Sequence, residues 1–370
     1  MTIRIATFNA ENLFRRPQAF GLPDDAHRKE VLDDFDELVS LLGKADYQEA
    51  DKARIAALVR KHRAYDLDPH DPPPIYVNQT RGGAAALFRR SGDPHDPEIH
   101  VVAKGRGAWA GWAELVRGDL DWAAVKNTGR VIAEIDADVL LTVEVEDRLT
   151  LDRFNTQVLS GVLGRRAYPF NMLIDGNDSR GIDVGILSRH PIRSVRSHIF
   201  DTSPEHPGGP VFSRDCPEFE IELDGTPLWV LGNHFKSKAG DDPELRLAQA
   251  EQVVRIYRAA AERSPNVLVA GDLNDFLDSP PIRTLTDAGL RDAMSHPAYR
   301  GDPGTHGSGT RPSDKLDYLL FPPPLWDRVQ HVGVERRGVW APPAIKSFDT
   351  VTSKADEASD HAALYADLDL

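Results

Sequence analysis

Short apolar runs of strand length, bounded by polar residues, recur along the chain. They are IRIATF at 3–8, DADVLLTVEVE at 136–146, IDVGILS at 182–188, LWVLGNHF at 228–235, NVLVAGDL at 266–273, KLDYLLF at 315–321 and AALYADLDL at 362–370. Runs of this length with little alternation predict strands buried on both faces. Between them the period lengthens: KNTGRVIAEI (126–135), ELRLAQAEQVVRIYRAAAE (244–262) and SPPIRTLTDAG (279–289) place apolar residues at helical spacing. The strands are too many and too unevenly spaced for strict βα alternation, so the pattern predicts a mixed α/β fold.

Residues from 15 to about 125 break this rhythm. Helical patterns at Glu30–Leu42 and Lys52–Lys61 are followed by the proline-rich LDPHDPPP (67–74) and by AALFRR (85–90) and IHVVAKG (99–105), two strand candidates joined by the turn-rich SGDPHDPE. We read residues 1–370 as one domain carrying this stretch as a long insertion, a lid or subdomain with its own helices and hairpin. Its Arg81, Arg89, Arg90, Lys104 and Arg106, with Trp109 and Trp112, fit either a basic aromatic wall for nucleic-acid bases or solvated arginines around core tryptophans.

Composition narrows the chemistry. With 41% hydrophobic and 28% charged residues the chain has the make-up of an ordinary globular protein. Its net charge of -14 argues against a uniformly basic nucleic-acid surface. A polyanionic substrate would therefore need a cation to meet it. One cysteine, Cys216, excludes an internal disulfide and any cysteine-based zinc site. No run approaches the length of a membrane span and no leader pattern opens the sequence, so a cytoplasmic location is the expectation, with no obligate protein partner evident.

The candidate chemistry lies at the ends of the strands. ATFNAEN brings Asn9 and Glu11, LLTVEVED brings Glu144, LGNHFKSK brings Asn233, His234 and Lys236, VAGDLND brings Asp272 and Asn274, KLDYLL brings Asp317, and EASDHAAL brings Asp360 and His361. Asp272 and Asn274 stand two apart, on one face while the chain stays extended. Each residue alone also suits a turn, a solvated strand end or a satisfied histidine at the core edge. Together they form an inventory of hard acidic ligands, two histidines and amide side chains that suits metal-assisted hydrolysis of a phosphate ester.

Seven motifs in order, TFNAEN, DVLLTVEVED, RGIDVGILSRHPI, NHFKSK, GDLND, KLDYLL and SDH, resemble the endonuclease/exonuclease/phosphatase (DNase I-like) superfamily over residues 1–14 and about 126–370. The resemblance implies a four-layer sandwich of two mixed β-sheets flanked by helices, with a site at one rim. It implies a Mg²⁺ or Mn²⁺ ion held by Glu144 with Asn9, Glu11 and Asp360. Asp272 would activate water, Asn274 would hold the phosphate, His361 oriented by Asp317 would donate a proton, and His234 would touch the phosphate. Arg180, Lys236 and Asn233 are the substrate-binding candidates. Two departures stand out: Glu11 where many relatives have Asp, and Val143 where many have glutamine. The implied activity is a metal-dependent phosphodiesterase on DNA or RNA. A phosphomonoesterase, a lipid phosphohydrolase and a non-catalytic binding module are the alternatives.

Overall fold

The side chains of alternate residues on one strand enter two different cores, and this determines the architecture. Ile3 and Ile5 face one apolar cluster, whereas Ala6 and Phe8 face another; Val139 and Leu141 join the first, Leu140 the second. In the other half of the chain Leu268 and Ala270 also enter the first cluster, while Val267 and Val269 enter a third. The first cluster is thus the seam between two sheets, and the other two lie under helices. Together they build four layers.

The computed structural model describes residues 1–13, 24–66, 72–79, 85–93, 96–116, 122–178, 180–204, 206–238 and 242–370, the side chains of Asn12 and Asp25 excepted. Its contacts divide the chain into one compact unit of Met1–Phe14 with Leu120–Leu370 and another of Arg15–Asp119.

In the larger unit the first sheet runs Val329–Glu335, Ala363–Asp369, Thr2–Leu13, Val139–Val145, Asp183–Ser188, Phe170–Leu173. The second runs Arg291–Asp292, Asp317–Phe321, Val267–Asp272, Thr226–His234, Glu218–Leu223, Ile192–Arg196. Each sheet is antiparallel except for one central parallel pair, Thr2–Leu13 beside Val139–Val145 in the first and Thr226–His234 beside Val267–Asp272 in the second. Parallel neighbours end together, so each sheet delivers two strand ends side by side.

The outer helices follow their apolar faces. Trp122–Ile135 places Val131, Ile132 and Ile135 on the second cluster. Pro243–Ala261 starts with Asp242, whose side chain accepts from the Leu245 N–H at 3.0 Å, and a proline in its first turn, and buries Ala250, Val253 and Val254 in the third. At Gly271 only glycine fits: φ is +131°, and a Cβ there would lie 1.9 Å from the Asn233 carbonyl of the neighbouring strand.

The smaller unit has its own core of Val31, Leu38, Ile55, Leu58, Ile75, Val77 and Trp109 beneath the helices Asp25–Leu42 and Glu49–Lys61. The expected hairpin is present as Phe88–Asp93 paired with Asp96–Val101. Its strands run through most of the SGDPHDPE segment that the sequence suggested as the turn. Trp109 is a core residue whose indole N–H donates to the Tyr47 hydroxyl at 2.9 Å, and Arg106 stacks over its ring. Trp112 is exposed. Arg81 lies outside the described residues.

Candidate active site

Glu144 stands where the first sheet's register breaks. Val143 pairs with Asn9 and Val184, Val145 pairs with Leu13 and Asp183, and the residue between them is unpaired with φ at +62°. This is a β-bulge, a device that re-aims one side chain out of a sheet. A non-glycine residue at positive φ costs roughly 1–3 kcal/mol. Val143 and Val145, each fully buried, contribute about 1.5–3 kcal/mol apiece and hold the bulge in place. Glu11 (φ +49°) and Asn274 (φ +50°) share the feature, so three of the six positive-φ non-glycine residues among those described are predicted site residues.

The second sheet supplies a row. His234 is the register partner of Asp272, and Asp272 of Asp317. Asp317 Oδ2 accepts from His361 Nδ1 at 2.8 Å and from the Thr305 hydroxyl at 2.7 Å. Thr305 in turn accepts from the Asp317 N–H at 3.0 Å. This fixes the carboxylate, and the carboxylate fixes the imidazole. The Nε2 of His361 then faces Asp272 Oδ2 at 3.9 Å and Asp360 Oδ1 at 3.7 Å.

Asp272 gathers the two sheets. Its Oδ2 accepts from Asn9 Nδ2 at 3.1 Å, and its Oδ1 accepts from the Asn274 N–H at 2.8 Å. Asn274 is therefore held in an Asx turn, one of the two geometries its spacing allowed. The i, i+2 pair still meets, since Asn274 Nδ2 lies 3.4 Å from Asp272 Oδ2 while donating to the Phe235 carbonyl at 3.0 Å. The N-terminal strand is tied to the SDH loop by Ser359 Oγ donating to the Asn9 carbonyl at 2.7 Å and the Asp360 N–H donating to Glu11 Oε2 at 2.9 Å.

The electrostatics differ from residue to residue. Burial raises Glu144, and the charges of Glu11 and Asp360 add to that, against the pull of His361 and Asn9. Burial pushes Asp272 up while His361 draws it down. Burial would lower His361, but Asp317 and Asp272 outweigh it and hold the imidazolium well above the usual range. His234, 3.8 Å from both Glu144 and Asp272, is pushed well below its usual value by burial and then by the charge of Arg214, and stands neutral. Asp272 therefore lies between two histidines pushed in opposite directions.

The residues suit a hard divalent cation. Glu144, Glu11, Asp360 and Asn9 offer oxygen, and the burial that raises Glu144, with the charges of Glu11 and Asp360 adding to it, is what a cation would offset. Within 4.8 Å the described residues converge as two groups, His306–Asp360–His361 and Asp272–Asp317–His361, and Glu144 belongs to neither. Mg²⁺ needs only one or two carboxylates because it keeps several waters, so a closed carboxylate cage is not required.

The remaining substrate candidates divide. Arg180 is half-exposed and forked on Asp178 at 2.9 and 2.8 Å. Lys236 is half-buried with its backbone N–H on Gln249 at 2.9 Å. Asn233 alternates with His234, is 1% exposed and donates to the Leu231 carbonyl, so the strand turns it away from the rim. Sequence reasoning missed Arg214, 1% exposed, with Nε 3.1 Å from Asp178. One basic residue inside the mostly buried run VFSRDCPEF was the available signal. Thr305 and His306, in the loop GTHGSG, gave none.

Residues 116–361 match the endonuclease/exonuclease/phosphatase family, more than half of the chain. Among solved structures, truncated TDP2 from Caenorhabditis elegans is similar at 19% identity, covering 67% of this chain and 90% of that one with a TM-score of 0.47. Beta toxin from Staphylococcus aureus gives 20%, 66%, 93% and 0.47, and sphingomyelinase C from Streptomyces griseocarneus 18%, 67%, 93% and 0.44. No curated protein matches the sequence.

Proposed function

The chain belongs to the endonuclease/exonuclease/phosphatase family, and from that premise we propose that it is a divalent-metal-dependent phosphodiesterase acting on nucleic acid. The observation that carries this reading is the row His234–Asp272–Asp317 with His361 seated on Asp317. It sets a buried carboxylate between a neutral and a charged imidazole. Asp272 takes the proton of the attacking water, and Asn274 turns its amide from Asp272 to a phosphoryl oxygen. His361, through Nε2, gives its proton to the leaving oxygen while Asp317 keeps its ring in line. His234 contacts the phosphate. Glu144 and Asp360, with Asn9 and Glu11 beside them, would hold a Mg²⁺ or Mn²⁺ ion, which would supply Lewis-acid stabilisation of the phosphoryl charge. Arg180 and Lys236 meet the flanking phosphates.

Next to Asn274, Phe276 is 41% exposed with Lys238 Nζ 3.8 Å from its ring centre. A ring and a cation together suit a stacked base and its phosphate. The same exposed Phe276, with Leu277 beside it at 41%, favours a second reading, a phosphodiester with an apolar tail.

Hydrolysis of labelled single- and double-stranded DNA and RNA, of bis(p-nitrophenyl) phosphate and of a choline phospholipid, each with Mg²⁺ and with EDTA, tests both. Cleavage of nucleic acid that EDTA abolishes is expected, with Asp272→Ala and His361→Ala each losing roughly 10²- to 10⁴-fold. Turnover confined to the lipid would establish the second reading; full activity in either variant would remove the base and acid roles of Asp272 and His361.

A further inference from the structure

Sharing Asp360 with the oxygen-rich rim is a cluster of different chemistry. His306 and His361 are partners in an isolated antiparallel bridge, locked by the Ala362 N–H on the Thr305 carbonyl at 2.7 Å and the Gly307 N–H on the Asp360 carbonyl at 2.8 Å. Their rings meet edge to face with centres 4.9 Å apart. Asp360 lies between them, its Oδ2 3.4 Å from His306 Nε2 and its Oδ1 3.7 Å from His361 Nε2. We propose that His306, Asp360 and His361 form a second cation site, selective for an ion of the zinc class, whose occupation blocks the proton-donating role of His361.

Three observations support it. One ligand atom from each of the three side chains lies within 4.8 Å of the other two, so small side-chain adjustments would bring them to the roughly 3.4 Å spacing of atoms about 2.1 Å from a tetrahedral ion. Two imidazoles and one carboxylate favour Zn²⁺, Co²⁺ or Ni²⁺, whereas the all-oxygen rim favours Mg²⁺. The side chains of His306 and Asp360 are 41% and 32% exposed, which leaves an open side for entry and for water to complete the shell.

His361 is already oriented as a ligand, because Asp317 occupies Nδ1 and leaves Nε2 facing Asp360. An ion binding there displaces the Nε2 proton to solvent, so that nitrogen can hold an ion or give a proton to a leaving oxygen, and never both at once. The blocking effect rests on His361 being the proton donor of the proposed hydrolysis; the site itself does not.

Calorimetric titration of the full chain with ZnCl₂ in excess MgCl₂ tests the site, with the wild type, His306→Ala and Glu144→Gln in parallel. One Zn²⁺ per chain is expected, weakened at least about tenfold in His306→Ala and little changed in Glu144→Gln. Equal affinity in His306→Ala, or an equal loss in Glu144→Gln, would overturn it. In Mg²⁺-supported hydrolysis of bis(p-nitrophenyl) phosphate, Zn²⁺ should inhibit the wild type, and His306→Ala should need at least about tenfold more. Stoichiometric binding that leaves hydrolysis untouched would overturn the blocking effect. If no phosphoester is hydrolysed even without Zn²⁺, the proposed function fails while the titration still decides the site.

Discussion

Away from the rim, His198 shows how far two carboxylates can move one titratable group. Its Nδ1 lies 2.8 Å from Asp201 and its Nε2 2.9 Å from Glu218, with Arg263 also on Glu218 and the His198 N–H on Asp215 at 2.8 Å. Burial lowers this histidine, but the two carboxylates outweigh it and the net direction is upward. A group raised on folding contributes stability that is complete below its unfolded value, about 6.5, and is lost as pH rises through the folded value. Unfolding midpoints of the wild type and His198→Gln should therefore differ most below about pH 6 and converge as pH rises above that value. Each charge-assisted bond contributes about 1.5–3 kcal/mol, and His198 makes two, which sets the scale of the low-pH gap. A gap that stays constant with pH would refute the assignment. The same residue scale explains what was hidden in the sequence: Glu144, Asp272 and His361 were legible because acids and histidines ending apolar runs are unusual, whereas Thr305 acts through one hydroxyl in a loop and carries no pattern.

Among the elements, the strands buried on both faces were legible and the edge strands were not. IRSVR at 192–196 and FNML at 170–173 each pair on one side only and bury few residues, so neither shows an apolar run. The helix Arg148–Arg153 continues into a wider turn at Phe154–Val162 that helical periodicity does not describe. The central pairs were the strongest signal, and they carry the site. Gly271 shows how close their contact is. Gly271→Ala should destabilise the fold by about 3 kcal/mol or more, since the new Cβ meets backbone that cannot swing aside. Urea unfolding measures this; a loss below about 0.5 kcal/mol, the level of an ordinary surface change, would show that the pair can part.

Across the larger unit as a whole, the four-layer order sets a gradient of protection. Amides of Ile5, Leu141, Leu231 and Val269 lie in central strands whose side chains are fully or almost fully buried. In native-state hydrogen exchange they should be slowest and report the global stability, with Phe170–Leu173 and Ile192–Arg196 opening first. Edge strands as slow as the centre would contradict the layering.

The hydrogen bond from Ser359 to the Asn9 carbonyl joins residues 350 positions apart. At about 5–20 residues per second a ribosome needs roughly 20–70 s to add that much chain. Throughout that interval Asn9 and Glu11 exist without Asp360 and His361, so the candidate site is assembled only when synthesis has reached the SDH segment.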